Sequence, residues 1–120
     1  MNVMSLFAAV AIGAIGAATA CNAERKQECD QLLTAMKPLE AAPAGADAID
    51  RMRSAIATLP LQDQPLHEYA SSAKTTLAVL ANALKTQASP SPPDGTDDLV
   101  KATVKEALAE RDDVARYCAQ

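Results

Sequence analysis

Tryptophan is absent from this 120-residue chain, phenylalanine occurs once and tyrosine twice, and there is a single histidine. Apart from Phe7, the aromatics are Tyr69 and Tyr117, so any core must be built from Leu, Ile, Val, Met and many alanines. Small side chains let helices approach closely but remove little apolar area from water per residue. His67 stands beside Glu68 without the Glu-x-x-His pairs of di-iron bundles and without cysteine or carboxylate ligands at fixed spacing, so no metal site is expected. Haem held by His67 and Met36 or Met52 has equally little support, and no cofactor is expected. The four glycines, Gly13, Gly16, Gly45 and Gly95, form no phosphate-binding loop. Basic clusters are missing as well. The formal charge is −4, which argues against nucleic acid as a partner.

Catalytic patterns are also lacking. Asp97 with Asp98 and Asp112 with Asp113 are neighbours on helical segments, pointing about 100° apart instead of converging on a substrate. Ser71, Ser72 and Lys74 lack the Ser-x-x-Lys spacing and the glycine elbow of a nucleophile. The chain is expected to be non-enzymatic, with no catalytic residue.

What is present begins with an uncharged apolar run from Val3 to Ala20, ending in Ala18-Thr19-Ala20-Cys21. Small residues let a signal peptidase read the chain in extended form, and the cysteine that follows offers a thiol for diacylglycerol. In these features residues 1 to 21 resemble the export signal of bacterial lipoproteins. The resemblance implies a cleaved signal peptide over residues 1–20 and one domain over residues 21–120, lipid-anchored through Cys21 on the periplasmic side of the cell envelope. Asn22, where an inner-membrane retention Asp is usual, implies the outer membrane over the inner one. Two other fates fit the same residues. Ala18-Thr19-Ala20 also suits ordinary signal peptidase, which would release an unlipidated secreted chain. About 20 apolar helical residues also span roughly 30 Å of hydrocarbon, and an uncleaved anchor followed by Arg25 and Lys26 would hold the domain in the cytoplasm.

Cysteines occur at 21, 29 and 118, an odd number that lipidation of Cys21 would make even. Cys29 and Cys118 are then free to pair in an oxidising compartment. A bridge across so long a loop would stabilise the fold by about 4–5 kcal/mol in the chain-entropy picture. The alternative is two buried thiols acting as small apolar residues. No C-x-x-C is present to suggest redox, zinc or haem chemistry.

After Cys21 four segments carry helical periodicity, and no alternating stretch is long enough for a strand. The first, Asn22 to Lys37, places Cys29, Leu32, Leu33 and Met36 at i, i+3, i+4 and i+7, with Glu24, Arg25, Lys26 and Asp30 outward. Pro38 to Ala46 reads as a loop, after which Asp47 caps a helix with Ile49, Met52, Ile56 and Leu59 inward. Pro60 to Pro65 reads as a turn, and residues 66 to 88 as the longest helix, with Leu66, Tyr69, Ala73, Leu77, Leu80 and Leu84 on one face. Ala70 and Ala81 widen that face. Ser89 to Gly95, rich in proline, is a connector; Thr96 then caps a last helix. Its inner stripe is Val100, Val104, Ala107, Leu108, Val114 and Cys118, with Asp112 and Arg116 as an i, i+4 pair.

Four helices with short connections imply an all-α fold, a small antiparallel four-helix bundle. That topology sets the start of the first helix beside the end of the fourth, so Cys29 and Cys118 would meet there. The functional expectation is a membrane-tethered protein-interaction or accessory subunit with an envelope protein as partner. The alternative, from another class, is a secreted or periplasmic small-ligand carrier or inhibitor with a gap opposite Ala70, Ala73 and Ala81.

Overall fold

The structure is a computed structural model, and it describes residues 22–41 and 45–120. The expected export signal and the expected lipidation site Cys21 lie outside the described residues. Within them the protein is an all-α bundle of four helices without strands. Helix α1 covers residues 22–36, α2 Ala46–Ala57, α3 Gln64–Gln87 and α4 Thr96–Cys118. They run antiparallel in sequence order.

The local signals differ from expectation at four places. The segment after α1 is not a simple loop: Lys37–Glu40 form a 3-10 turn that carries Pro38 at its start and buries Leu39. Proline lacks only an N–H that a helix start leaves unbonded anyway, so it opens such a turn easily. The same reasoning moves the start of α3 back to Gln64, with Pro65 in its first turn and Asp63 as the cap, accepting from the Leu66 N–H at 3.3 Å. Asp47 does not cap α2; Gly45 holds that position and Asp47 lies in the first turn, where the helix dipole still favours an acid. Thr96 is likewise inside α4. Gly95 precedes it with φ 88°, a left-handed geometry that costs a residue with a Cβ about 1–2 kcal/mol. The Thr96 hydroxyl instead turns back to donate to the Pro93 carbonyl at 2.7 Å.

The core is built where the apolar stripes converge. Leu32 and Met36 from α1, Ile49 and Ile56 from α2, and Leu66, Leu77 and Leu80 from α3 are all but inaccessible to water. Ala70, Ala73 and Ala81 are buried too, filled against by neighbouring helices, so the gap considered opposite them is closed. The stripe of α4 is narrower than its sequence suggested. Thr103, Ala107 and Val114 are its buried row, while Leu108, about 100° round from Ala107, is exposed. Thr103 is tolerated because its hydroxyl donates to the Leu99 carbonyl one turn back at 2.7 Å. Arg116 pairs with Asp113, one helical turn away, instead of Asp112.

A polar contact crosses between the middles of the long helices. Thr76 on α3 donates to Oε1 of Glu110 on α4. Burial pushes the Glu110 carboxyl above the usual range against the opposing effect of that hydrogen bond, and the negative charges of Glu106 and Asp113 add to the rise. Its other oxygen, Oε2, is buried without a hydrogen bond among the described residues.

Candidate functional site

Each end of the bundle carries a local arrangement beyond plain helix packing. At the first, the Cys29 and Cys118 sulfurs are bonded to each other and tie the second turn of α1 to the last residue of α4, with the Cα atoms 5.8 Å apart. Because residues 22–29 are already helical, Asn22 sits only about 10 Å of axial rise from Cys29, not the roughly 30 Å an extended chain would allow.

Around this bridge lies a network the sequence reading did not anticipate. Glu28, adjacent to Cys29, is buried, and its Oε1 accepts two backbone N–H bonds, from Gln62 at 2.7 Å and from Asp63 at 3.0 Å. Asp63 in turn accepts from the Tyr117 hydroxyl at 2.6 Å while it caps α3. The Arg25 guanidinium lies 5.6 Å from the centre of the Tyr117 ring and donates to the Gln120 backbone carbonyl at 3.0 Å. Tyr69 meets the same ring with centroids 5.8 Å apart, so both tyrosines of the chain serve this one end. The hydrogen bond to Asp63 raises the Tyr117 hydroxyl above its ordinary pKa, helped by partial burial and the Asp63 charge and opposed by Arg25. The phenol therefore keeps its proton and remains the donor that Asp63 needs. These groups bind one another and the backbone, which constrains this end of the bundle.

The signal for this network was partly visible. Glu28 precedes Leu32 and Met36 by four and eight residues, which places a carboxylate in the row of the apolar stripe. A buried acid needs donors, and nothing in the sequence named the backbone of a distant loop as their source.

At the opposite end, where Lys37–Glu40 meet the start of α2, the finish of α3 and the start of α4, there is a cavity of about 380 Å³. Its walls include Leu39, Ile49, Leu80, Leu84, Val100 and Val104. Its polar groups are gathered where α3 ends and α4 begins: Gln87, Asp97 and Lys101. Gln87 Nε2 donates to Asp97 Oδ1 at 2.8 Å. Lys101, one turn along α4 from Asp97, makes no ion pair among the described residues. The cavity follows from unequal helix lengths. Helix α2 has 12 residues whereas α3 has 24 and α4 has 23, so the short α1–α2 arm covers only part of the long hairpin. Two ion pairs flank it, Asp50 with Lys85 at 3.1 Å and Glu40 with Arg111.

Of the other residues weighed from sequence, Ser71 and Lys74 line one open cleft between α2 and α3, and the rest are dispersed. His67 is exposed on the first turn of α3, whereas Met36 and Met52 are sealed in the core. Ser71 and Ser72 are exposed on α3, as are Asp98 and Asp112 on α4. Among the described residues no three His, Cys, Asp or Glu side chains converge as metal ligands, and no helix is long and apolar enough to cross a membrane. Compared with protein-family models, with curated proteins and with solved structures, this chain matches none.

Proposed function

We propose that the chain is a non-enzymatic lipoprotein of the cell envelope, tethered through diacylated Cys21 on the periplasmic side, in the outer membrane, and serving as an interaction or accessory subunit for an envelope protein. The observation that carries this reading is the Cys29–Cys118 bridge. A disulfide closing 89 residues of separation is suited to an oxidising compartment, where such bonds persist, and export through a lipoprotein signal would deliver the chain there. Lipidation of Cys21 also leaves no odd thiol to scramble the pair. Helical structure from residue 22 supports a short, stiff connection between the anchor and the bridged end. A partner would then meet the helix faces or the far end. Ser71 and Lys74 line one open cleft between α2 and α3 without a hydrogen bond to each other among the described residues, and the remaining polar groups bind one another, which favours a binding role over a chemical one.

The test is the intact mass of the protein taken from its own membrane fraction, alkylated before and after reduction. A chain beginning at Cys21 with added diacylglycerol and acyl mass, whose other two thiols alkylate only after reduction, is the expected result. A chain retaining Met1 with freely alkylated thiols would place the domain in a reducing compartment and end the proposal. A chain beginning at Cys21 without lipid would end the tether alone.

A further inference from the structure

The cavity at the far end has a division of chemistry that the tether does not explain. Six aliphatic side chains from the 3-10 turn, α2, α3 and α4 make its wall, and the three polar ones stand together on one lip. Closed apolar packing would be expected to collapse over such a space. Here Leu84, Val100 and Val104 remain only partly buried around it while Leu77, just below, is sealed. An apolar wall with one polar lip accommodates an amphiphile, its tail inward and its head at the lip. Polar groups at the lip select the head. Asp97 accepts from the neutral Gln87 amide and keeps its negative charge, while Lys101 is the one cation lining the lip and makes no ion pair among the described residues. An ammonium with free donors favours an anionic head.

We infer that this cavity binds a single-chain aliphatic carboxylate, with the chain against Leu80, Leu84, Val100 and Val104 and the carboxylate on Lys101 Nζ. The volume sets the chain length. About 380 Å³ holds about a dozen water-sized groups at roughly 30 Å³ each, and a methylene is of that size, so a chain of about ten carbons fills it. The site does not depend on lipidation of Cys21 and would be present in a secreted or anchored form of the same chain.

The experiment uses the full chain in its own membranes and a dodecanoate bearing a diazirine at the end of its tail, with the corresponding dodecanol as an uncharged probe. After irradiation, the labelled peptides are mapped by mass spectrometry. The expected result is carboxylate-probe label within residues 80–87 and 97–104, competed by excess decanoate. Lys101→Met reduces that labelling by about fivefold, the scale of one exposed ion pair, and leaves the alcohol probe unchanged. Val104→Phe, which fills the cavity, reduces label from both probes; retention of the Cys29–Cys118 bridge by mass shows that this variant is folded. Label scattered over the chain, or equal labelling by the carboxylate in wild type and Lys101→Met, overturns the inference. The Lys101 comparison decides the matter even if Val104→Phe does not fold, because Lys101 is exposed and outside the core.

Discussion

The two ends of the bundle use the same four helices in opposite ways. At the bridged end, a disulfide, a buried carboxylate, a helix cap, a tyrosine pair and an arginine over a ring all act on the junction of α1, α3 and α4. At the far end the contacts are ion pairs with exposed partners, and the aliphatic side chains at the edge of the core line a partly open cavity. The contrast teaches where a thin core needs help. A bundle whose core contains Ala70, Ala73, Ala81 and Ala107 buries modest area, so constraint is concentrated at one end and the other is left open to solvent.

The largest effect should come from removing the bridge. Replacing both cysteines by serine, Cys29→Ser with Cys118→Ser, is expected to lower stability by about 4 kcal/mol through the entropy of the unfolded chain, read as a lower urea midpoint. Little change would mean that the bridged end owes its order to the polar network alone.

Next, the two ends can be set against each other with one chemistry. Leu77→Ala, in the sealed core, is expected to cost about 3 kcal/mol, and Leu84→Ala, on the cavity wall, about 1 kcal/mol, because the second removes contacts already missing on one side. Equal costs, measured by urea unfolding, would show that the far end is as well packed as the middle.

Glu28→Ala should follow at about 2 kcal/mol, since it strands the Gln62 and Asp63 N–H groups and removes the anchor of the α2–α3 connection. Glu28→Gln, which keeps an acceptor oxygen, should recover part of that loss. Failure of the glutamine to recover any would assign the effect to charge and not to the backbone bonds.

Glu110 gives the smallest and most conditional effect. Its carboxyl is raised in the folded protein, chiefly by burial, so the native state holds the proton more tightly than the unfolded chain does. The resulting contribution is fully present below the unfolded pKa and is lost as pH rises through the folded one. Wild type should therefore gain stability relative to Glu110→Gln as the pH is lowered through that window, measured as the difference between the two pH–stability profiles. A flat difference would mean that Glu110 is solvated.

Much of the fold could be read from the residues. The stripes of α2 and α3 depend on strong aliphatic positions such as Ile49, Met52, Leu66 and Leu77, and these are buried as their spacing predicts. Helix 4 was harder. Its expected stripe of Val100, Val104, Ala107, Leu108, Val114 and Cys118 rests mainly on Val and Ala, and the facing surface of α3 selects instead the row of Thr103, Ala107 and Val114. Capping does not follow residue type: Asp47 and Thr96 are good caps in isolation, but Gly45 and Gly95 hold the cap positions, and of the two only Gly95, at φ 88°, adopts a geometry that favours glycine. Of the two ends, the cysteine pair suggested the first through antiparallel topology. The second was implicit in the unequal lengths of the predicted helices, yet an apolar i, i+4 pair such as Leu80 with Leu84 reads the same whether it faces a partner or a cavity. Glu28, Asp63 and Tyr117 lie on three separate elements, and no spacing rule joins them.

The difference between the ends is tested most directly by native-state amide hydrogen exchange, oxidised and reduced. In the oxidised protein, the amides of Gln62, Asp63 and Leu66, together with those of the last turns of α4, are expected to exchange only through global unfolding, whereas those near the α3–α4 connector open locally. Reduction should then speed exchange at the bridged end by orders of magnitude and leave the connector end nearly unchanged. Uniform protection along α3 and α4, or an equal acceleration at both ends on reduction, would contradict the division of the bundle into a clamped end and an open one.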